Sequence, residues 1–130
     1  MIPKFRAYHK EMKKMYYFNI MWGNHSKGNG YIGMVEIGKE KSENGYRDNV
    51  VLIDPYECEL MQSTGLHDKN GKEIYKDDIV KHKNGDIFKI IWNQLSFKMD
   101  GEKEIRNMFD RSGEFITIIG NIYENPELKE

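Results

Sequence analysis

Two adjacent carboxylates and a single cysteine are the side chains of this chain best suited to catalysis. Asp77 and Asp78 could form an acid–base pair. Adjacent residues of a strand point to opposite faces, so the sequence instead predicts that one is exposed and the other caps a turn. Cys58 has no recognisable catalytic helper, and a semi-buried structural thiol is the favoured interpretation. We therefore expect no catalytic residues.

Histidines and glycine-rich stretches give no pattern for a metal ion or a cofactor. Residues 28–33 match G-x-G-x-x-G, but a dinucleotide site needs a helix after the motif, and a β-like segment follows here. Residues 68–71 lack the glycine spacing of a calcium-binding EF-hand loop. We expect no metal, no cofactor and no small-molecule substrate. The histidines are scattered without ligand spacing, at His9, His25, His67 and His82.

Basic and aromatic residues interleave near the N-terminus, a pattern typical of proteins that bind single-stranded nucleic acid. The same pattern also fits a half-buried β-hairpin whose lysines form a solvated basic face. The net charge of −1 at pH 7 provides no overall attraction to nucleic acid, so the hairpin is the favoured interpretation, with nucleic-acid binding as the alternative. The candidate contacts are Lys4, Arg6, Lys10, Lys13, Lys14, Tyr16 and Trp22.

Length and composition indicate a small protein without a disulfide or a membrane-spanning segment. With 130 residues, of which 38% are hydrophobic and 32% charged, the chain suits one compact unit, or two small subdomains that share a modest core. A single cysteine excludes an internal disulfide and fits a reducing cytoplasm. No apolar run approaches about 18 residues, and the first residues lack the apolar core of a signal peptide. We expect a cytoplasmic protein without membrane association.

Alternating and aromatic-rich segments in the first half predict β-strands. Residues 4–8 alternate and residues 15–22 are rich in aromatic and β-branched side chains, which together predict a hairpin. Two further strands are expected at 31–38 and 50–54. The segments 23–30 and 39–49 are expected to be a loop and a charged connection, and residues 56–62 could be a short helix or a turn.

The second half predicts a small barrel of short strands. Asn84-Gly85 is a favoured two-residue turn between apolar segments, and further strands are expected at 95–99 and 114–123. Ile105, Met108 and Phe109 have the spacing of a helical turn. The expected core comprises Leu66, Ile74, Tyr75, Ile79, Val80, Ile90, Trp92, Phe97, Ile118 and Ile122.

Residues 60–80 form the densest motif, and its features have structural explanations. Thr64 and Asp68 are expected to bond backbone groups around the turn at Gly65. In the last strand, Gly120 is expected to permit a bend or bulge. Residues 123–128 should fold back over the barrel edge, with Pro126 stopping further pairing. The full set of structural motif residues is Gln62, Thr64, Gly65, Asp68, Gly71, Asp78, Gly120, Asn121 and Pro126.

Three blocks of sequence resemble the YopX family of phage and prophage proteins. KFRAY lies at 4–8, QSTGLHDKNGKEIYKDDIV at 62–80 and IIGNIYENPEL at 118–128, in the family's order. Ser63 stands where an aromatic residue is usual, and Asp77 stands where glycine is common. Aspartate tolerates a left-handed backbone better than most residues but less well than glycine, so an altered turn is expected at Asp77, followed by the same strand at 78–80.

The resemblance and the strand spacing together imply a mostly β fold with little helix. A small N-terminal β-hairpin or meander is expected over residues 1–59, followed by a C-terminal SH3-like β-barrel over residues 60–130, within one compact unit. The resemblance also implies a phage or prophage protein in a bacterial host cell and supplies no catalytic residues. We expect a non-enzymatic accessory protein that binds another protein or itself, with nucleic-acid binding as the alternative.

Overall fold

The chain is built almost entirely from short antiparallel strands. The structure, a computed structural model, describes residues 4–24, 31–36, 50–53 and 57–129, with side chains at 4–17 and 57–128. These residues form eleven strands and two short 3₁₀ helices, so the predicted mostly β fold with little helix is confirmed. The chain divides into unit 1, Met1–Gln62, and unit 2, Ser63–Glu130, whereas the sequence placed the boundary between residues 59 and 60.

Unit 1 is an antiparallel sheet with the order β4-β3-β2-β1-β5. The predicted N-terminal hairpin is present, since β1 pairs with β2 and opposes Ala7 to Tyr16. Gly23 and Asn24 of the predicted loop extend β2, while residues 25–30 and the charged connection 39–49 lie outside the described residues. The strands are β1 (Phe5–His9), β2 (Lys14–Asn24), β3 (Tyr31–Glu36), β4 (Val50–Ile53) and the first half of β5 (Cys58–His67).

Strand β5 corrects the prediction of a short helix or turn at 56–62. Residues 58–62 pair along the whole of β1, which lies between β2 and β5. Cys58 and Met61 are buried on opposite sides of the strand, a pattern without a clear period of two. Hydrogen bonding to β1 therefore makes this segment a strand, and local sequence does not reveal that pairing.

Unit 2 is built around a five-stranded antiparallel sheet with the order β10-β9-β8-β7-β11. The second half of β5 pairs with β6 (Glu73–Tyr75) before the sheet begins. The last strand lies beside the first, and the 3₁₀ helix Ser112–Phe115 precedes it, an arrangement compatible with an SH3-like barrel. The sheet strands are β7 (Asp78–His82), β8 (Ile87–Asn93), β9 (Ser96–Gly101), β10 (Ile105–Asn107) and β11 (Ile116–Asn121).

The core of unit 2 lies on one face of this sheet. Of the predicted core, Ile74, Tyr75, Ile79, Val80 and Ile90 are buried. Four more are partly buried, namely Leu66, Phe97, Ile118 and Ile122. The buried cluster comprises Ile74, Val80, Phe88, Ile90, Met99 and Ile116, three of which the sequence prediction missed.

Trp92 contradicts the predicted core, because 49% of its surface is exposed. Its side chain is on the core face, two residues beyond Ile90 along β8. It lies opposite Phe97 at the end of the β8–β9 hairpin, where the core has ended. Alternation along a strand predicts the face of a side chain, but the limits of the core depend on the length of neighbouring strands.

The predicted helical turn around Ile105 is also wrong. Residues 105–107 form β10, which pairs with the edge of β9 and opposes Ile105 to Asp100. Ile105 is 55% exposed, and Phe109 is exposed as well. Three apolar residues in so short a segment do not separate a helix from a strand, and the free edge of β9 decides in favour of the strand.

The Asn84-Gly85 hairpin is confirmed, but its loop has three residues instead of two. The N–H of His82 donates to the carbonyl of Asp86 (2.8 Å), which closes the loop around residues 83–85. Gly85 adopts a left-handed φ of 98°, as in a type I turn followed by a bulge.

Candidate interaction site

The N-terminal hairpin buries two of the residues expected to contact nucleic acid. Arg6 is 2% exposed, and its Nε donates to Sδ of Met61 at 3.3 Å. Tyr16 is also buried, with the Nζ of Lys14 at 4.7 Å from its ring centroid. A buried guanidinium cannot follow a phosphate backbone and a buried ring cannot stack on a base, so neither side chain suits that role.

Acidic residues at 57 and 59 lie next to the hairpin and offset part of its basic charge. Lys10 forms an ion pair with Glu59 (3.0 Å), and Glu57 lies 3.2 Å from the imidazole of His9. Trp22 is in β2, with its side chain outside the described residues. The exposed candidates are Lys4, Lys10, Lys13 and Lys14.

The central motif holds the end of β5 in place through side-chain hydrogen bonds to the backbone. The hydroxyl of Thr64 donates to the carbonyl of Ile74 (2.7 Å) and accepts from the N–H of Leu66 (3.1 Å). Gly65 has a φ of 80°, which glycine adopts at little cost. Gln62 precedes this turn as an exposed residue opposite Phe5. The predicted backbone-bonding role of Thr64 is therefore present.

Asp68 links the following loop to the last strand of unit 2. Its Oδ1 accepts from the N–H groups of Asn70 and Lys72, both at 2.9 Å, and its Oδ2 accepts from Ile118 at 3.0 Å. Gly71, with a φ of 83°, completes the loop. The Asp68 carboxylate is buried and satisfied by backbone groups, so its role in the structure is to connect two segments.

Asp77 and Asp78 are both buried, which corrects the prediction that one of them is exposed. Asp78 accepts from the N–H of Tyr75 at 2.8 Å, which is the predicted turn cap. Asp77 has a left-handed φ of 70°, and its carboxylate contacts Lys76 and the hydroxyl of Tyr123 (3.3 Å). Local sequence could not show that Tyr123 returns to this turn.

The C-terminal segment folds back onto β11. The register of β11 shifts between Ile118 and Gly120, which is the predicted irregularity. A Cβ at Gly120 would lie 2.5 Å from Oδ1 of Asn125, so a larger residue would displace the Asn125 side chain. Asn121 accepts from the N–H of Tyr123 (3.0 Å). Pro126 begins a 3₁₀ helix, Pro126–Lys129, after the last strand of the described residues.

The turn between β8 and β9 is a feature that the sequence reading missed. Gln94 and Leu95 connect the strands as a two-residue turn with φ values of 52° and 64°. Leucine at such an angle is a rare outlier, because its side chain crowds the backbone. Leu95 is also 88% exposed. The only sequence signal is the polar pair Asn93-Gln94 between apolar segments, without the glycine that marks such turns.

Leu95 lies at the end of an apolar surface. Trp92 and Phe97 oppose each other across β8 and β9, and their rings meet edge to face with centroids 4.7 Å apart. Trp92, Leu95 and Phe97 are here named the apolar tip. The backbone N–H of Met108 lies 3.4 Å from the carbonyl of Phe97, which brings the chain before the exposed Phe109 next to this tip.

A small cavity of about 260 Å³ lies between the β7–β8 and β9–β10 turns. Asp86, Glu102, Lys103 and Glu104 contribute its charged lining. None of the catalytic or histidine candidates considered above lines it.

No three histidine, cysteine or acidic residues are grouped to hold a metal ion within the described ranges. The helical segments of those ranges are too short or too polar to cross a membrane.

Comparison with known proteins places these features in a family. The model of the family described as YopX protein matches residues 4–130. The crystal structure of protein EF1440 from Enterococcus faecalis is similar, with 26% identity and a TM-score of 0.63 over 100% of this chain and 99% of that chain. The crystal structure of protein yopX from Bacillus subtilis matches with 22% identity and a TM-score of 0.63 over 100% of both chains. Curated proteins give no significant match. The family model matches nearly all residues of the chain, and the chain therefore belongs to the YopX family.

Proposed function

We propose that this chain is a non-enzymatic accessory protein of a phage or prophage that binds another protein through the apolar tip. The observation that carries the proposal is Leu95, which combines a left-handed backbone with 88% exposure. The protein would act in the cytoplasm of the bacterial host.

Leu95 combines a strained backbone with an apolar side chain that is not buried. A non-glycine residue in the left-handed region costs roughly 1 kcal/mol or more, and glycine or asparagine would avoid most of it. The exposed leucine also gains nothing from burial in the isolated chain. Strained and exposed apolar residues concentrate at binding sites, where a partner covers the side chain.

The neighbours of Leu95 suit a protein partner. Trp92 is half-exposed and its ring is fixed against Phe97, so little conformational entropy is lost when a partner covers it. Tryptophan is among the residues most enriched at the centres of protein interfaces. The tip thus offers a rigid aromatic pair beside a protruding aliphatic side chain.

The non-enzymatic part of the proposal rests on the roles of the two best catalytic candidates. Asp78 binds the backbone N–H of Tyr75, and Asp77 contacts Lys76 and Tyr123. Both carboxylates hold a turn together, and proton transfer to a substrate would disturb that turn.

Nucleic-acid binding receives less support from the hairpin. Arg6 and Tyr16 are buried, and Lys10 is paired with Glu59. Lys4, Lys13 and Lys14 are the other exposed lysines of the candidate set. This alternative is retained as one outcome of the experiment below.

The test is affinity purification of the tagged full chain from lysogenic or infected host cells, with and without the double substitution Trp92→Ser, Leu95→Asn. Asparagine tolerates the left-handed backbone, so the change at Leu95 removes the apolar side chain without straining the turn. Met12→Gln is the matched control, because it removes an exposed apolar side chain from unit 1. We expect a protein that is recovered with the wild type and the control and is lost with the double variant.

Self-association is measured on the same three proteins by light scattering. If the partner is a second copy, the wild type has a mass well above 15.4 kDa and the double variant returns to that value. Recovery of the same partners by the double variant would contradict the proposal. Co-purification of nucleic acid that is lost in Lys13→Glu, Lys14→Glu would support the alternative.

A further inference from the structure

We propose that the outer face of the unit 2 sheet docks an acidic, amphipathic segment of another protein. The outer face is the side of the sheet opposite the core, and its exposed or partly exposed lysines and isoleucines on β7 to β10 are Lys81, Ile87, Lys89, Ile91, Lys98 and Ile105. This inference does not depend on the apolar tip and adds a second contact surface to the protein.

The strand register determines which side chains share this face. Lys81 lies opposite Ile87, and Ile91 lies opposite Lys98. Directly opposed residues of antiparallel strands project to the same side, while the alternate residues Val80 and Phe88 belong to the buried core. Lysine and isoleucine therefore oppose each other at these pairs, while Lys89 and Ile105 both lie opposite Asp100.

Charge and exposure both point to an acidic partner. The face has three lysines against one acidic residue, Asp100, which gives it a net charge of +2. Ile87 is 38% exposed and Ile105 is 55% exposed. Acidic side chains would complement the lysines, and apolar side chains of the same segment would cover the isoleucines.

At the other end of the same face, an apolar side chain of the chain itself covers the sheet. Gly120 opposes Ile79, whose side chain is on the outer face and fully buried. A Cβ at Gly120 would meet Leu128, so the C-terminal segment covers this part of the face. An apolar anchor thus occupies the β11 end of the face, while Ile87 and Ile105 stay exposed.

A protein segment fits this face better than a nucleic acid does. Proteins that hold single strands without sequence preference use flat aromatic rings, on which the bases stack. The apolar positions here are isoleucines, which have no ring, and they fit the side chains of a peptide.

The test is an NMR titration of the isotopically labelled full chain with a short peptide in which pairs of glutamates alternate with pairs of valines, so that each side of the extended peptide carries both residue types. We expect shifts of the amide signals of Lys89, Ile91 and Lys98, and weaker binding as salt concentration rises. Lys89→Glu with Lys98→Glu should weaken binding by about tenfold or more, because attraction becomes repulsion. Lys72→Glu is the matched control, since this exposed lysine lies in the loop after Asp68.

Two further variants separate this inference from loss of folding and from the apolar tip. If the double lysine variant loses its dispersed spectrum, Ile105→Gln replaces it and should also weaken binding, because Ile105 is half-exposed on an edge strand. Leu95→Asn should bind the peptide as the wild type does. Equal binding of a lysine–valine peptide, no effect of the variants, or stronger shifts of this face with an oligothymidine strand would overturn the inference.

Discussion

At the scale of single residues, Asp68 explains why the central sequence block is so dense. One buried carboxylate receives three backbone N–H groups, from Asn70, Lys72 and Ile118. Hydrogen bonds to a charged acceptor are stronger than neutral ones, and each buried N–H left without a partner carries a further cost. The central block and the final block of the family pattern meet at this side chain.

Replacing Asp68 by alanine should lower the free energy of unfolding by about 3 kcal/mol, because three backbone donors lose their acceptor. Urea denaturation followed by fluorescence measures this change. Asp86→Ala, at an exposed position in the β7–β8 loop, is the control and should change stability by less than about 0.5 kcal/mol. Similar losses for the two variants would contradict the role given to Asp68.

Residue roles were predictable where the chemistry is local. Thr64 and Asp68 lie near turn glycines, and their short side chains accept from the backbone N–H two residues on, so this bonding was foreseen. Arg6 was predicted to contact nucleic acid because basic and aromatic residues interleave around it, but its position on β1, between β2 and β5, buries it. The prediction that one of Asp77 and Asp78 is exposed was wrong because Tyr123, the partner of Asp77, is 46 residues away in sequence.

At the scale of elements, the β8–β9 turn should become more stable with ordinary turn residues. Gln94→Asn with Leu95→Gly should raise the free energy of unfolding by about 1 kcal/mol, because asparagine and glycine favour left-handed angles at both positions. Thermal unfolding measures the gain. Leu95→Ala keeps the strained angle and is the control. An equal gain from alanine would show that the strain at Leu95 is not the cause.

The segment before β11 should tolerate no side chain at Gly113. A Cβ there would overlap the backbone carbonyl of His67, which cannot move aside as a flexible side chain could. We expect Gly113→Ala to cost about 3 kcal/mol in thermal or urea unfolding. Gly71→Ala is the contrast, because its Cβ would meet nothing and only the left-handed angle costs about 1 kcal/mol. Equal costs would contradict the overlap.

Most strands were predictable from sequence, and the errors have a common origin. The hairpins around Asn84-Gly85 and at the N-terminus have period-two alternation and clear turns, and both are present. The segments 58–62 and 105–107 were assigned to turn or helix because they are short and lack alternation. Residues 58–62 form a strand by pairing with β1, which is distant in sequence, and residues 105–107 form one by pairing with the free edge of β9. The tip was missed because Leu95 occupies a turn that usually contains glycine.

At the scale of the molecule, unit 2 contains its own core and should fold by itself. Its buried cluster draws on β6 through β9 and on β11, all within residues 63–130. A chain of this length buries a smaller share of its surface than a larger domain, so we expect cooperative unfolding with low stability. A fragment of residues 63–130 should give a dispersed NMR spectrum, and a collapsed spectrum would show that it needs unit 1.

The bond between Asp68 and Ile118 has a consequence for the order of events during synthesis. The two residues are 50 positions apart, and β11 pairs with β7, the first strand of its sheet. During synthesis, Asp68 therefore leaves the ribosome long before Ile118, whose N–H its carboxylate accepts in the folded protein. The β7–β10 strands must wait with the edge of β7 unpaired, which is the interval in which such chains are most prone to aggregate. Completion of β11 ends this exposure, so a ribosome that stalls before residue 116 should leave an aggregation-prone nascent chain.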